Sequence, residues 1–154
     1  MPHKPRKRFG QNFLVDQQII NQIVSTISPK KNDHIIEIGP GKGALTFPLI
    51  DYLENIHVIE IDRDLIALLQ KKNNIKITIH EFDALVFNFD QFKQKVRIVG
   101  NLPYNISSPL LFHLLNYRDN IIDMTFMLQK EVVDRIVAPP GSKVYGRISV
   151  IMQT

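Results

Sequence analysis

The chain has 154 residues, enough for one domain with a real core and too few for two. Its hydrophobic fraction of 44% is that of an ordinary globular protein, and no apolar run reaches the roughly 20 residues of a membrane span. Cysteine is absent, which excludes disulfides and thiolate metal sites, and the formal net charge of +4 arises from 19 basic and 15 acidic residues.

That excess has one location. Lys4, Arg6, Lys7 and Arg8 account for all of it, and no acid precedes Asp16. Residues 1–15 therefore read as a basic arm, suited to nucleic-acid phosphates because each one neutralised releases counterions; a solvated tail is the other reading. The arm lacks the apolar stretch of a secretory signal. The five histidines show no i, i+4 pair, so no metal site is expected. A cytoplasmic protein is expected.

Residues 16–154 read as one α/β domain. Asp16–Ile27 is predicted helical, since Ile19, Ile20, Ile23, Val24 and Ile27 share one face, and Ser28-Pro29 closes it. His34–Ile38 is a strand stopped by Gly39-Pro40-Gly41. Ala44–Leu53 is a helix with Pro48 early in it. Ile56–Ile61 is the second strand, Arg63–Lys72 a helix, Ile75–His80 the third strand and Val96–Val99 the fourth. Ser108–Leu115 is helical, with Pro109 in a tolerated first-turn position. Met124–Leu128 is a fifth strand and Lys130–Val137 a helix before Pro139-Pro140-Gly141. Ile148, Ile151 and Met152 at i, i+3, i+4 predict a helix opening over Gly146–Thr154, without a stop signal, so the chain is expected to be cut inside an element. Alternating, largely apolar strands and helices predict a doubly wound, mostly parallel sheet.

Candidate chemistry lies at the strand ends. Glu37-Ile38-Gly39-Pro40-Gly41-Lys42-Gly43 is a glycine turn between strand and helix, where backbone N–H groups can meet a ligand, or simply a tight turn. Its G-x-G-x-G spacing departs from the dinucleotide fingerprint G-x-G-x-x-G and favours another adenosine cofactor. Glu60, at the end of the second strand, lies about 20 residues beyond Gly39, where an acid can accept from ribose hydroxyls or be a plain surface carboxylate. Glu60 and Asp62 offer two acids that strand alternation is taken to separate, leaving one spare. Asp83 suits an adenine amino group or a turn cap.

Asn101-Leu102-Pro103-Tyr104 is the most specific piece. An exocyclic adenine amine is a poor nucleophile because its lone pair is delocalised into the ring. Two acceptors, the Asn101 side-chain carbonyl and the Leu102 backbone carbonyl, can hold it so that the lone pair turns outward. Pro103 stiffens the turn and Tyr104 offers a ring for base stacking. Asn is neutral, so no strong general base is implied. A plain turn is the competing reading.

Taken together, Lys7 to Leu14, Glu37 to Gly43, Glu60 to Arg63, Asp83-Ala84, Asn101 to Ser107, Met127 to Val132 and Tyr145 to Arg147 resemble the ribosomal RNA adenine dimethyltransferase family, over nearly the whole chain and in the family's order. The resemblance is strongest to its bacterial branch acting on 16S RNA. It implies a Rossmann-like S-adenosylmethionine-dependent fold and dimethylation of the N6 amines of two adjacent adenines near the 3′ end of 16S rRNA in the small ribosomal subunit. It implies that Asn12 and Leu14 close over the cofactor, that Gly39, Gly41 and Gly43 take its methionine part, and that Glu60 holds the ribose and Asp83 the adenine. Asn101 would then sit between cofactor and target amine, and Tyr104 would stack the target base. A monomer is expected. Family members continue into further strands and a helical C-terminal domain that helps hold the target. Relatives that methylate large-subunit RNA in antibiotic resistance, or that serve as RNA-binding or assembly factors, are the alternatives; Leu102 favours the small-subunit branch.

Overall fold

The computed structural model describes residues 13–103, 105–129 and 148–153. Six strands form one sheet in the order β3-β2-β1-β4-β5-β6. They are β1 (Ile35–Ile38), β2 (Ile56–Glu60), β3 (Ile77–Glu81), β4 (Val96–Asn101), β5 (Ile121–Gln129) and β6 (Ile148–Gln153), and every pairing is parallel. The order reverses between β1 and β4, the switch point outside which doubly wound sheets bind ligands.

The first helix, α1 (Gln17–Ile27), is capped by Asp16, whose side chain accepts from the Gln18 and Ile19 amides. It ends where Ser28 turns left-handed. Its buried face, Ile20, Ile23 and Ile27, packs with α2 (Thr46–Ile50) and α3 (Arg63–Lys71) on one side of the sheet, against Ile35, Val58, Val99 and Met127. The other side is covered by α4 (Ser107–Leu115) and by the β3–β4 connection: Phe87 and Phe89 join Leu110 and Leu114 over Ile36, Ile38, Ile98 and Phe126. Burial of alternate strand residues on opposite faces explains why the strands read as continuous apolar runs.

Three expectations are corrected. The end of the chain is not a helix over Gly146–Thr154: Ile148–Gln153 is β6, paired with Met124–Gln129 of β5. A short apolar run carries helical and strand spacing alike, and the β-branched Ile148, Val150 and Ile151 favour the strand once an open edge of β5 is available. The helix expected over Ala44–Leu53 contracts to Thr46–Ile50 between turns. Pro48 is its third residue, where no helical N–H is needed. The fifth strand is longer than expected and runs from Ile121. The helix expected over Lys130–Val137 lies outside the described residues. No helix among the described residues is long and apolar enough to cross a membrane.

At the lower end of the strands Arg97 ties three segments together. Its Nη1 lies 2.8 Å from Asp33 Oδ2, its Nε 2.9 Å from Asp123 Oδ1, and its Nη2 donates to the Ile27 carbonyl. The bond to Ile27 holds the last turn of α1 down on the sheet.

Candidate cofactor and methyl-acceptor site

The upper ends of β1, β2, β3 and β4 open into a cavity of about 380 Å³. It is lined by Leu14, Gly39, Gly41, Glu60, Asp83, Asn101 and Pro103, so motif residues far apart in the chain come together. Gly43 is not among the lining residues. Asn12, Tyr104, Lys4, Arg6, Lys7 and Arg8 lie outside the described residues.

The glycine turn is built for close approach. Gly39 has φ +67° and continues the ladder by donating to the Ile59 carbonyl at 2.9 Å. A side chain at Gly43, φ +91°, would sit 2.3 Å from the Phe47 ring, so this glycine serves the turn's own packing. Gly100 faces Ile38 across the β1–β4 ladder, and a Cβ there would lie 2.6 Å from the Ile38 carbonyl oxygen. Its bareness lets the two strands that carry the glycine turn and Asn101 approach each other.

Glu60 ends β2 and is 7% exposed. Its Oε2 accepts from the amides of Ile61 (2.9 Å) and Asp62 (3.1 Å), and the carboxylate also accepts from the Gly41 amide, which ties the glycine turn to β2. Burial nevertheless pushes its pKa up, opposed by these N–H donors. Strand alternation does not separate Glu60 from Asp62, because residues two apart share a face. The strand stops at Glu60, and Asp62 becomes the N-cap of α3, accepting from the Asp64 amide at 2.9 Å. Asp83 caps its own turn, Oδ1 accepting from the Leu85 amide at 2.9 Å, and the residue lines the cavity.

Asn101 is the last residue of β4 and is half-buried at the cavity. Leu102 turns its side chain into the core, 4% exposed, its N–H donates to the Met127 carbonyl at 3.2 Å, and like Gly43 it is not among the lining residues. The Pro103 carbonyl accepts from Ser107 Oγ at 2.8 Å, which fastens the loop to the first turn of α4.

One lining residue is a charge that the motifs leave without a role. Glu37, in the middle of an apolar strand and 1% exposed, faces the α2 side, where Thr46 Oγ1 donates to its Oε1 at 2.5 Å. Burial, with Glu60 nearby, raises its pKa to about 7 despite that bond. The signal in the sequence is an acid inside a run otherwise buried on both faces. Phe13 and Lys42 also line the cavity, with Lys42 Nζ 4.7 Å from the Phe13 ring centre, and Ile61, Phe82, Ala84 and Leu85 add an apolar flank.

The arrangement is an apolar slot with Glu37, Glu60 and Asp83 facing it and Lys42 as the cation among its lining residues. Such a lining favours a cationic ligand with sugar hydroxyls over a pyrophosphate.

Known proteins agree with this geometry. The ribosomal RNA adenine dimethylase family profile matches residues 2–154. A protein of Dechloromonas aromatica named ribosomal RNA small subunit methyltransferase A is 58% identical over 98% of this chain and 60% of its own. The protein of that name from Nitrosospira multiformis is 55% identical over 99% of this chain and 60% of its own. The chain thus spans about 60% of the length of these relatives. Among solved structures, a dimethyladenosine transferase from Plasmodium falciparum superposes with a TM-score of 0.70 at 29% identity, over 87% of this chain and 48% of that one. Fold, crevice and sequence match converge: the chain belongs to the ribosomal RNA adenine dimethylase family.

Proposed function

We propose that this chain carries the cofactor and acceptor site of an S-adenosylmethionine-dependent methyltransferase that dimethylates the N6 amines of two adjacent adenines near the 3′ end of 16S rRNA in the small ribosomal subunit. The observation that carries the reading is the convergence of Glu37, Glu60, Asp83 and Asn101 on one crevice at the switch point. The name shared by the relatives from Dechloromonas and Nitrosospira supports the small-subunit substrate. The enzyme works in the cytoplasm as a monomer.

The residues present fit the cofactor. Glu60 accepts from ribose hydroxyls with the lone pairs left beside its amide donors. Asp83 takes the adenine amino group, with Ile61 and Phe82 flanking the ring. Gly39 and Gly41 admit the methionine part, Gly43 shapes their turn, and Glu37 supplies negative charge beneath a cationic group. Bound, the cofactor supplies a methyl group on a sulfonium. The Asn101 side-chain carbonyl and the Leu102 backbone carbonyl accept from the target amine and turn its lone pair toward that methyl. Pro103 keeps the loop stiff and Tyr104 stacks the flipped base. Asn12 and Leu14 close the N-terminal segment over the crevice, and the arm 1–15 meets RNA phosphates through Lys4, Arg6, Lys7 and Arg8.

Titration calorimetry with S-adenosylmethionine and with NAD tests the cofactor. The first is expected to bind and the second not. Glu60→Ala should weaken binding by roughly 1.5–3 kcal/mol, or about one to two decades, through lost charge-assisted bonds. Binding of NAD, or unchanged affinity in Glu60→Ala, would sink the reading.

A further inference from the structure

The crevice is made by strands that are not neighbours. Asp83 follows β3 and Asn101 ends β4, and β2 and β1 lie between them in the sheet. No ladder hydrogen bond joins β3 to β4 directly; the ladders through β2 and β1 fix the strands themselves, and the segments that leave their ends are placed by what spans the sheet face. The span is the β3–β4 connection lying against α4.

Each side of that contact is internally tied. The turn after β3 is one hydrogen-bonded unit: Leu85 N donates to Asp83 Oδ1, Val86 N to the Asp83 carbonyl and Phe87 N to the Ala84 carbonyl. The Phe87 ring meets Phe82, which lines the cavity, edge-on at 5.6 Å. On the other side the Pro103 and Ile106 carbonyls accept from Ser107 Oγ and the Leu110 amide, both at 2.8 Å, so the acceptor loop moves with α4.

His113 joins the two. Its Nε2 lies 2.8 Å from the Phe87 carbonyl oxygen. A carbonyl only accepts, so this nitrogen carries the proton and donates. The imidazole is held between Phe89 at 6.0 Å and Tyr117 at 5.2 Å, which leaves it little rotamer freedom. At the solvent-exposed end of the same contact Asn120 donates to Asp90.

We propose that His113 is a positioning residue: through its hydrogen bond to the Phe87 carbonyl it fixes Pro103 and Ile106, at the start of α4, relative to the Asp83 wall, and so sets the distance between cofactor and target base. The inference rests on the methyltransferase reading for its kinetic consequence and on the hydrogen bond alone for its structural one.

Two variants in the full-length protein test it. His113→Phe keeps a ring between Phe89 and Tyr117 and removes the donor. His113→Gln restores an N–H donor at similar reach. In single-turnover methyl transfer to small subunits, the Phe variant is expected to be about tenfold to a hundredfold slower, since a shift of about 1 Å at a reacting centre costs up to two orders of magnitude. Its cofactor affinity should stay within about twofold, by the same argument that the change lies between the sites and not in either. The Gln variant should recover most of the rate. Amide exchange over residues 105–110 should quicken in the Phe variant and return in the Gln variant, whatever the activity. A Phe variant with the wild-type rate and wild-type exchange, or a Gln variant as slow as the Phe variant, would overturn the proposal. Wild-type protein that exchanges as expected but transfers no methyl group would instead overturn the functional reading and leave the brace standing.

Discussion

The two ends of the sheet treat charge in opposite ways. At the lower end Arg97 is met by Asp33 and Asp123 and by the Ile27 carbonyl, with side chains only 12–23% exposed. At the upper end Glu37, Glu60 and Asp83 face one cavity, and among the described residues none of them is in an ion pair. Burial raises the pKa of both Glu37 and Glu60. The lower cluster is satisfied by the chain itself and serves the fold. The upper one is held by hydroxyl and N–H donors and not by cations among the described residues, as expected where a fold departs from local consistency at a site.

The sharpest way to break that contrast is Arg97→Met. It leaves two half-buried carboxylates facing each other without a cation. Breaking a buried pair from one side costs about 3–5 kcal/mol. Chemical denaturation of the ligand-free chain is expected to show that loss. A change below about 1 kcal/mol, the worth of an exposed pair, would mean that the lower cluster is no more structural than a surface salt bridge.

At the upper end the expectation has the opposite sign. Glu37 has a folded pKa of about 7 against an ordinary glutamate value of 4.5. A raised folded pKa gives stability that is complete below the unfolded value and is lost as pH rises through the folded one. Between pH 5 and 8 the ligand-free chain should therefore lose up to roughly 3 kcal/mol through this group, one pKa unit being worth about 1.4 kcal/mol. His57 and His80 are 2.9 Å apart and are both held below the usual histidine range by burial, so they pull the other way at the acid end. The quantity to read is thus the difference between wild type and Glu37→Gln, which should grow with pH in favour of the variant. A cationic cofactor should reverse the order, binding wild type more tightly as pH rises and the variant without that trend. A pH-independent difference would remove Glu37 from the electrostatics of the cavity.

The same contrast marks what the sequence could reveal. Strands β1 to β4, the helices α1, α3 and α4, and the strand-end positions of Glu60, Asp83 and Asn101 follow from local period and turn chemistry, which act within a few residues. The lower cluster does not: Arg97 is 64 residues from Asp33 and 26 from Asp123, and only the strand order makes them neighbours. The helix expected in place of β6 fails for the same reason, because an open β5 edge, invisible locally, decides the conformation of Ile148–Gln153. Glu37 belongs to the glycine-turn motif without a role there, although an acid between Ile36 and Ile38 in a strand buried on both faces has nowhere solvated to go.

The smallest expected effect concerns the cation at the upper end. Lys42 is exposed, and its ammonium stands 4.7 Å from the centre of the Phe13 ring, which itself packs where a side chain on Gly41 would be, 3.4 Å away. Two influences on a cationic cofactor oppose each other here. As a charge, Lys42 repels it, but Lys42 is exposed, and two unit charges about 10 Å apart in water are worth only some 0.4 kcal/mol before salt screening. As a latch, it holds Phe13, and with it Leu14, over the glycine turn with about 0.5–1 kcal/mol of cation–π attraction. The latch outweighs the repulsion, so Lys42→Met, which keeps the stem and removes the charge, should weaken cofactor binding by about twofold to fivefold. Global stability should change by no more than about 1 kcal/mol, the worth of the contact itself. The Phe13→Leu background separates the two influences. There the latch is already gone, and Lys42→Met should leave affinity unchanged or slightly tighter. Tighter binding in the wild-type background would mean that Lys42 acts on the cavity only through its charge, and that the segment bearing Phe13 and Leu14 is held over the glycine turn by packing alone.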